Sequence, residues 1–335
     1  MSVGSDLLAA DAAQADGGLP GDGLIETSGA DVAAQSPLQL FWRRFRTDRV
    51  AIVSLVFIVG LILVAILAPL IVRLAGAPGP NVQNTKLLDS FGDPTGPSFA
   101  HHEYFGVDPL GRDLFARVLY GARVSLIVAF IATGLSLVIG VTAGMVAGFF
   151  RGWVDSLISR SIDVLLAFPI LLLALGLGAA CSLGGGCFGG LLKPGLVVVI
   201  FVIAFVNWTY IARIIRGQVL SLREKEFVEA SRSLGASNSR IIFRELLPNL
   251  VAPIIVYATL IIPQNVLFEA ALSYLGVGVQ PPTASWGAML ADASTNLSAW
   301  WYMLFPGVAL LLTVLAFNLV GDGLQDALHP RGGRS

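Results

Sequence analysis

Long, uninterrupted apolar runs are the feature that most constrains this chain, as in "AIVSLVFIVGLILVAILAPLIV" at residues 51–72. Only 13% of its 335 residues are charged, whereas 55% are hydrophobic, and a soluble domain carries about 25% charged residues. Such a chain cannot hide its apolar surface in one aqueous core, so a lipid bilayer is its predicted solvent. The runs are continuous rather than alternating, which favours helices over membrane strands.

A helix needs about 20 apolar residues to cross the hydrocarbon core of a bilayer. Six stretches satisfy this requirement: Val50–Val72, Ser125–Phe150, Leu157–Ala180, Leu196–Ile215, Leu250–Tyr274 and Trp301–Gly321. We therefore predict an all-α integral membrane protein with six transmembrane helices. The predicted parts are a tail at 1–36, a first helix with an external interfacial segment at 37–124, and a core at 125–331.

The first 36 residues contain no lysine or arginine and are rich in alanine, glycine and aspartate. This composition predicts a disordered tail, and the terminus lacks the basic and apolar regions of a signal peptide. The net charge of −1 gives no support for nucleic-acid binding. Two cysteines are too few for a scaffold held together by disulfides.

The distribution of lysine and arginine predicts the orientation. With both termini in the cytoplasm, 15 of the 21 basic residues fall on the inside, as the positive-inside rule expects. The segment "GVDPLGRDLFARVLYGAR" at residues 106–123 then lies outside and is predicted to be a short interfacial helix. Trp286, Trp300, Trp301 and Tyr302 are typical of an aromatic belt at the outer boundary.

A charged stretch interrupts the apolar pattern between the fourth and fifth spans: "EFVEASRSLGASNSRIIFRELLPN", residues 226–249. Phe227, Ala230, Ser231 and Leu234 would share one face of a helix, and Gly235 is suited to end it. Ser237 or Asn238 could cap a second helix at Arg240–Leu247, and Pro248 would break that helix before the next span. A short helix held just outside the membrane suits docking into a groove of a soluble partner. The alternative is an ordinary solvated loop helix.

The same stretch resembles the signature loop of bacterial ABC importer permeases. Glu229-Ala230-Ser231, Gly235 and Leu247-Pro248 follow its spacing, whereas Ser231 and Glu245 depart from its usual residues. Residues 104–126, 269–290 and 318–331 resemble the C-type permease subunit of dipeptide, oligopeptide and nickel importers. The resemblance covers residues 37–331.

The resemblance implies a type I ABC importer permease fold in a bacterial cell membrane. It also implies partners: a homologous permease forming a heterodimer, two ABC ATPases and an extracytoplasmic binding protein. Within the cytoplasmic loop at 217–249, one segment would be the coupling helix that the ATPase moves. The implied coupling residues are Glu226, Phe227, Glu229, Ala230, Ser231, Arg232, Leu234, Gly235 and Ala236. Phe227, Ala230 and Leu234 would pack, and Glu229 and Arg232 would make polar contacts.

The motor itself is predicted to lie in another chain. The phosphate-binding pattern G-x-x-x-x-G-K-[ST] does not occur, and none of the three lysines follows a glycine. We also expect no cofactor, metal or catalytic site, because His101-His102 and His329 are the only histidines and form no zinc-type cluster. A metal held by His101-His102 beside Glu103 is the weaker alternative.

Small residues mark a predicted helix contact. Gly140, Gly144 and Gly148 repeat at four-residue intervals in the second span, which lets helices approach closely, either within the subunit or against a partner permease. Chance in a glycine-rich chain is the alternative. Glu269 lies in the fifth span and would either line the pathway or stabilise helix packing through a hydrogen bond, and we favour packing.

Two further pairs are predicted from spacing. Arg160 and Asp163 lie one helical turn apart and are expected to form a local ion pair. Cys181 and Cys187 flank "SLGGG" on the predicted outside, where the compartment favours a disulfide. Two free thiols in a buried turn are the alternative.

The resemblance implies that the chain forms one half of an ATP-driven pathway, with short peptides as the leading cargo and nickel chelates or haem as alternative cargoes. A standalone secondary transporter would instead require an inverted repeat and broken helices near the membrane centre. A purely structural membrane subunit is the remaining alternative.

Overall fold

The computed structural model of the chain describes residues 37–99, 103–183, 185–187 and 189–328. Residues up to Leu40 form one unit, of which only the beginning of helix α1 is described, and Phe41 onwards form the second. The predicted tail at 1–36, His101-His102 and His329 lie outside the described residues. The helices long enough to span a membrane all belong to the second unit.

The described part of the chain is helical, with a few isolated β-bridges in its loops. The helices are α1 Pro37–Phe45, α2 Arg49–Leu74, α3 Leu114–Phe150, α4 Gly152–Leu166, α5 Ile170–Leu183, α6 Leu196–Leu222, α7 Glu226–Ser233, α8 Asn238–Arg240, α9 Leu247–Tyr274, α10 Trp286–Ser294 and α11 Trp300–Leu328. Among the described residues, five helical stretches are long and apolar enough to cross a membrane, and a bent pair makes up to six. The predicted all-α membrane fold is confirmed.

The bundle has two ends, which we name after the short helices they carry. The α7 end is where α3 and α6 finish and where α9 begins. The ends of α3 and α6 lie together there, since Arg223, just beyond α6, donates a hydrogen bond to the carbonyl of Phe149 in α3. At the α10 end, Trp286 of α10 donates a 3.0 Å hydrogen bond to the carbonyl of Val118 near the start of α3. Trp286 and Tyr302 are fully buried, so the prediction that they belong to an aromatic belt is wrong.

The second membrane helix begins earlier than predicted. The expected interfacial helix within residues 106–123 is instead the first part of α3, which starts at Leu114 and runs without interruption to Phe150. Asp113 caps it by accepting a 2.7 Å hydrogen bond from the Ala116 amide. Arg117 and Arg123 did not stop the helix; Arg117 lies 3.5 Å from Asp108, so its charge is compensated within the protein.

The sequence predicted one helix over Leu157–Ala180 for the third span, but the structure has no single helix there. This span is divided into α4 and α5, which meet at an angle of 89°. Pro169 lies at the junction, where it has no N–H to donate and disfavours helical geometry at Phe168. The local pair expected between Arg160 and Asp163 is also wrong, because Asp163 binds Arg213 of α6 at 2.6 Å.

Pro248 does not break the chain before the fifth span. Residues 238–274 form one continuous helical stretch, in which Ile241–Leu246 take the wider π winding. The Leu247 amide therefore bonds to the carbonyl of Ile242, and Pro248 falls in the first turn of α9, where its missing N–H is tolerated. The predicted separate helix Arg240–Leu247 is replaced by this winding change.

The core is built on α3 and α6. Valines and isoleucines of α6, including Val198, Val202 and Ile203, are buried against small residues of α3 such as Ala132. By contrast, α2 exposes a large share of its apolar side chains, among them Val53 and Ile66. That surface is compatible with acyl chains, since lipid is as apolar as the side chains themselves.

Candidate functional site

The loop that the sequence singled out is a short helix at one end of the bundle. Helix α7 covers Glu226–Ser233 and ends in a Schellman motif: the amides of Gly235 and Ala236 donate to the carbonyls of Arg232 and Ser231 at 3.0 and 3.1 Å. Gly235 has φ +79°, a conformation that glycine adopts without strain. Ser237 then accepts a hydrogen bond from the Arg240 amide and caps α8.

A single valine fixes α7 to the bundle. Val228 is fully buried in a cluster with Val219 of α6 and with Ile241 and Leu246 of the π segment. The residues predicted to couple to an ATPase lie elsewhere on the surface: Leu234 is 88% exposed and Phe227 38% exposed, and Glu226, Glu229, Ala230, Arg232 and Gly235 are also exposed. Ser231 and Ala236 are half-buried.

Ionic contacts join the start of this loop to α3 and α4. The Arg151 guanidinium pairs with Glu224, which also lies 3.7 Å from Arg223. Arg216 of α6 makes a two-point contact with Asp155 of α4, including a 2.8 Å hydrogen bond. Burial lowers the pKa of the Arg223 guanidinium, and the charges of Arg151 and Arg232 lower it further; the group nevertheless stays protonated, as arginine does in proteins.

The three predicted packing glycines all lie against α6 of the same chain. A Cβ added at Gly140 would meet the Ile211 Cβ at 2.7 Å, and one at Gly148 would meet the Val219 Cβ at 2.8 Å. At Gly144 the nearest atom would be the Ala212 carbonyl oxygen, at 2.6 Å. Each contact is closer than any side chain permits, so the absence of a side chain allows α3 and α6 to touch.

Glu269 is fully buried within α9. Its carboxyl oxygens accept hydrogen bonds from Ser125 of α3 at 2.6 Å and from Ser273 at 2.8 Å. The Ser273 hydroxyl also accepts a 3.1 Å bond from the Val279 amide. This geometry favours the packing role over the pathway role, because the carboxyl group faces no open space.

A second buried polar network was missed by the sequence reasoning. Asn207 of α6 donates to Asn265 of α9, which donates a 2.7 Å hydrogen bond to Thr133 of α3. The three residues are buried and tie together three membrane helices. Two asparagines within otherwise apolar runs were the available signal, since such residues commonly bond across helices in membranes.

A third buried polar group, which the sequence analysis did not identify, lies at the α10 end and consists of Asp108, Arg112 and Arg117. Asp108 is fully buried, receives a 2.6 Å hydrogen bond from the Arg112 Nε and lies 3.5 Å from the Arg117 Nε. Arg117 also donates to the carbonyl of Pro80 at 3.1 Å. Burial and the charge of Glu103 raise the pKa of Asp113 to about 6, against the lowering effect of its bond from Ala116.

The remaining features are a crosslink and a cavity. Cys181 and Cys187 form a disulfide, and Gly186 between them has φ +125°.

A cavity of about 280 Å³ opens between α6, α9 and α11. It is lined by Gln218, Pro253, Val256, Tyr257, Leu260, Gln325 and Asp326. The cavity lies at the α7 end, and its lining combines apolar side chains with the polar Gln218, Gln325 and Asp326.

A helical membrane bundle with an exposed helix–glycine–helix loop defines a membrane permease with the type I ABC importer fold. This chain belongs to the family of inner membrane components of binding-protein-dependent transport systems, which matches residues 140–333. Residues 36–86 match the N-terminal transmembrane domain of oligopeptide transport permease C. The family resemblance noted from the sequence is therefore confirmed, and the chain is a permease subunit.

Relatives of known name cover nearly the whole chain. The dipeptide transport system permease protein DppC of Alkalihalophilus pseudofirmus is 42% identical over 302 residues, which are 89% of this chain and 91% of the relative. The glutathione transport system permease protein GsiD of Pectobacterium atrosepticum is 38% identical, over 90% and 93% respectively.

A solved structure shares the fold at low identity. The MetNI methionine ABC transporter, in inward facing conformations, matches with a TM-score of 0.53 and 20% identity. The match covers 64% of this chain and 96% of the other.

Proposed function

We propose that this permease forms one half of the pathway of an importer for short peptides. A homologous permease supplies the other half as a heterodimer, two ATPase subunits provide the energy, and an extracytoplasmic binding protein delivers the cargo. The relatives named for dipeptide and glutathione transport support this cargo class, because glutathione is itself a short peptide. The division into a tail at 1–36, an entry segment at 37–124 and a core at 125–331 belongs to the same proposal.

The exposed surface of α7 is the observation that carries the proposal. Only Val228 is buried in this helix, so the two large apolar side chains Phe227 and Leu234 and the charged Glu229 and Arg232 are available to a partner. A short helix that presents apolar and charged groups together fits a groove in another protein. Residues 226–236 are accordingly proposed to be the contact with the ATPase.

The orientation follows from that contact. An ATPase that uses cytoplasmic ATP must meet α7 in the cytoplasm, so the α7 end of the bundle is assigned to that side. Both termini then lie in the cytoplasm, in agreement with the bias of lysine and arginine. The α10 end, with its buried ionic group at Asp108, faces the binding protein.

Substituting one residue of α7 tests the coupling proposal. Ala230→Arg places a bulky charge in the middle of the exposed surface, while the Val228 anchor and the Gly235 turn remain. We expect the ATPase to be lost on co-purification and ATP-dependent peptide uptake to fall to background. The matched control is Ser239→Arg, which adds the same side chain at an exposed position of α8. Retention of the ATPase together with normal uptake in Ala230→Arg would reject the assignment.

Competition distinguishes the cargoes. Uptake of a labelled dipeptide into vesicles holding the assembled transporter should be suppressed by unlabelled dipeptides and by glutathione. No uptake of the labelled dipeptide, together with uptake of a labelled nickel chelate or haem by the same vesicles, would instead support the alternative cargoes.

A further inference from the structure

Helix α4 has an apolar surface that nothing in the described part of the chain covers. Trp153, Leu157 and Val164 are 77%, 59% and 60% exposed. With about 100° between successive residues, these three and Arg160 fall within about 60° of one another around the helix. We call these four residues the α4 stripe.

Arg160 lies within this stripe, one turn from both Leu157 and Val164. It is exposed, and the described residues offer it no ion pair: Asp163, the carboxylate nearest along the helix, binds Arg213 instead. Asp155, the other carboxylate of α4, binds Arg216. A cation therefore lies without a partner in the middle of an apolar surface.

The opposite side of α4 fixes its rotation. Ile162 is almost fully buried, and Asp155 and Asp163 are both held by arginines of α6. These contacts prevent α4 from turning its stripe toward the bundle. The stripe consequently faces away from α6 in the folded chain.

The ion pairs also show how α4 lies. The partners of Asp163 and Asp155, Arg213 and Arg216, both lie within the last three turns of α6. Since α4 also follows directly from the end of α3, it lies at the α7 end of the bundle. The chain then bends by 89° into α5.

We propose that α4 is an in-plane helix whose stripe inserts into the leaflet at the α7 end, with Arg160 binding the headgroup of an anionic phospholipid. Acyl chains cover the tryptophan, leucine and valine, as for interfacial amphipathic helices. The arginine extends along the apolar surface to place its charge at the phosphate, where a basic residue near an anionic leaflet is favourable.

A lipid satisfies both halves of this surface, whereas water or an apolar protein surface satisfies only one. Water would hydrate Arg160 but leave three large apolar side chains uncovered. An apolar surface of a second subunit would cover those side chains but bury the guanidinium without a partner, which is strongly unfavourable. A phospholipid brings hydrocarbon and an anion together.

Depth measurements test the insertion. Because Cys181 and Cys187 are bonded, Leu157→Cys provides one free thiol for a spin label. With the full chain and its co-purifying subunits in nanodiscs, dissolved oxygen should relax a label at 157 more than an aqueous nickel chelate does. Ser239→Cys, on the exposed α8, should show the reverse order. Strong relaxation by the nickel chelate at 157 would mean exposure to water, and weak relaxation by both would mean a protein partner; either result overturns the proposal.

Headgroup selectivity tests the role of Arg160. In nanodiscs of equal parts phosphatidylglycerol and phosphatidylcholine, we expect Arg160→Gln to lower the preference for phosphatidylglycerol at this site by about five-fold, from about 1 kcal/mol per basic residue at such a surface. Arg160→Lys should retain most of the preference. The control Arg240→Gln removes an exposed arginine from α8 and should leave it unchanged. Equal preference in Arg160→Gln and the wild type would refute the headgroup contact.

Discussion

Gly144 provides a sharp test of how α3 and α6 are held together. In Gly144→Ala the new methyl group would lie 2.6 Å from the Ala212 carbonyl oxygen and 2.9 Å from the Ile215 Cβ. Ordinary van der Waals contact begins near 3.4 Å, so the two helices must separate locally by about 0.8 Å, and a packed interior resists such a shift. The atom that is met belongs to the backbone and cannot rotate away.

The expected loss of stability follows from two opposing effects. Overpacking by one methyl group costs about 1–3 kcal/mol, whereas alanine favours the helix over glycine by up to about 1 kcal/mol. Gly134 is the matched control in the same helix, because a Cβ there meets nothing within 4 Å. Gly134→Ala experiences only the favourable effect, so Gly144→Ala should be the less stable variant by about 1–3 kcal/mol.

Thermal unfolding of the purified chain in detergent, followed by tryptophan fluorescence, measures this difference. Gly144→Ala should unfold several degrees below Gly134→Ala, and Gly140→Ala should resemble Gly144→Ala. If Gly144→Ala unfolds at the same temperature as Gly134→Ala or above it, the close approach of α3 and α6 is not what the glycines provide.

Two further predictions concern buried polar groups. Burial raises the pKa of Asp113 from 3.8 to about 6 in the folded chain. The stability that its protonated form contributes is therefore complete below about pH 3.8 and is lost as the pH rises through about 6. In Asp113→Asn the unfolding temperature should depend less on pH over that window, and a wild-type slope in the variant would contradict the argument. Asn265→Leu leaves the Asn207 amide and the Thr133 hydroxyl without the partner that they have in the wild type, at about 1–2 kcal/mol. Adding Asn207→Leu should recover part of that loss in a double-mutant cycle, whereas additive losses would show that the two side chains act independently.

The sequence was sufficient wherever a local signal and the tertiary structure agree. The apolar run at Arg49–Leu74 had no competing signal, and its helix lies within two residues of the predicted bounds. Gly235 was likewise identifiable, because ending a helix with positive φ is a property of the residue itself. These features depend on neighbours in the chain rather than on packing.

Signals that needed a distant partner were misread. Hydropathy averaged over Leu157–Ala180 treats Pro169 as one tolerated residue, yet the direction of the chain before it is set by Arg213 and Arg216, which lie far along the sequence. Asp163 had a candidate at helical spacing, Arg160, and the structure gives it Arg213 instead. An exposed i,i+3 pair stabilises by only about 0.2–0.5 kcal/mol, so a well-placed arginine on α6 easily competes with it.

Helix α7 shows how one buried side chain can create an exposed surface. The sequence predicted an apolar face of Phe227, Ala230, Ser231 and Leu234, but the side chain that enters the bundle is Val228. An isolated helix of eight residues is not stable in water, so α7 depends on Val228 and on the hydrogen bonds of the Gly235 turn. Because one valine and one turn hold it in place, its remaining sides need not face the bundle. The same arrangement explains why an apolar pattern alone could not distinguish the anchored side from the free one. Both sides carry large apolar residues, and the packing of Val219 and of the π segment at Ile241–Leu246 determines which of them is covered.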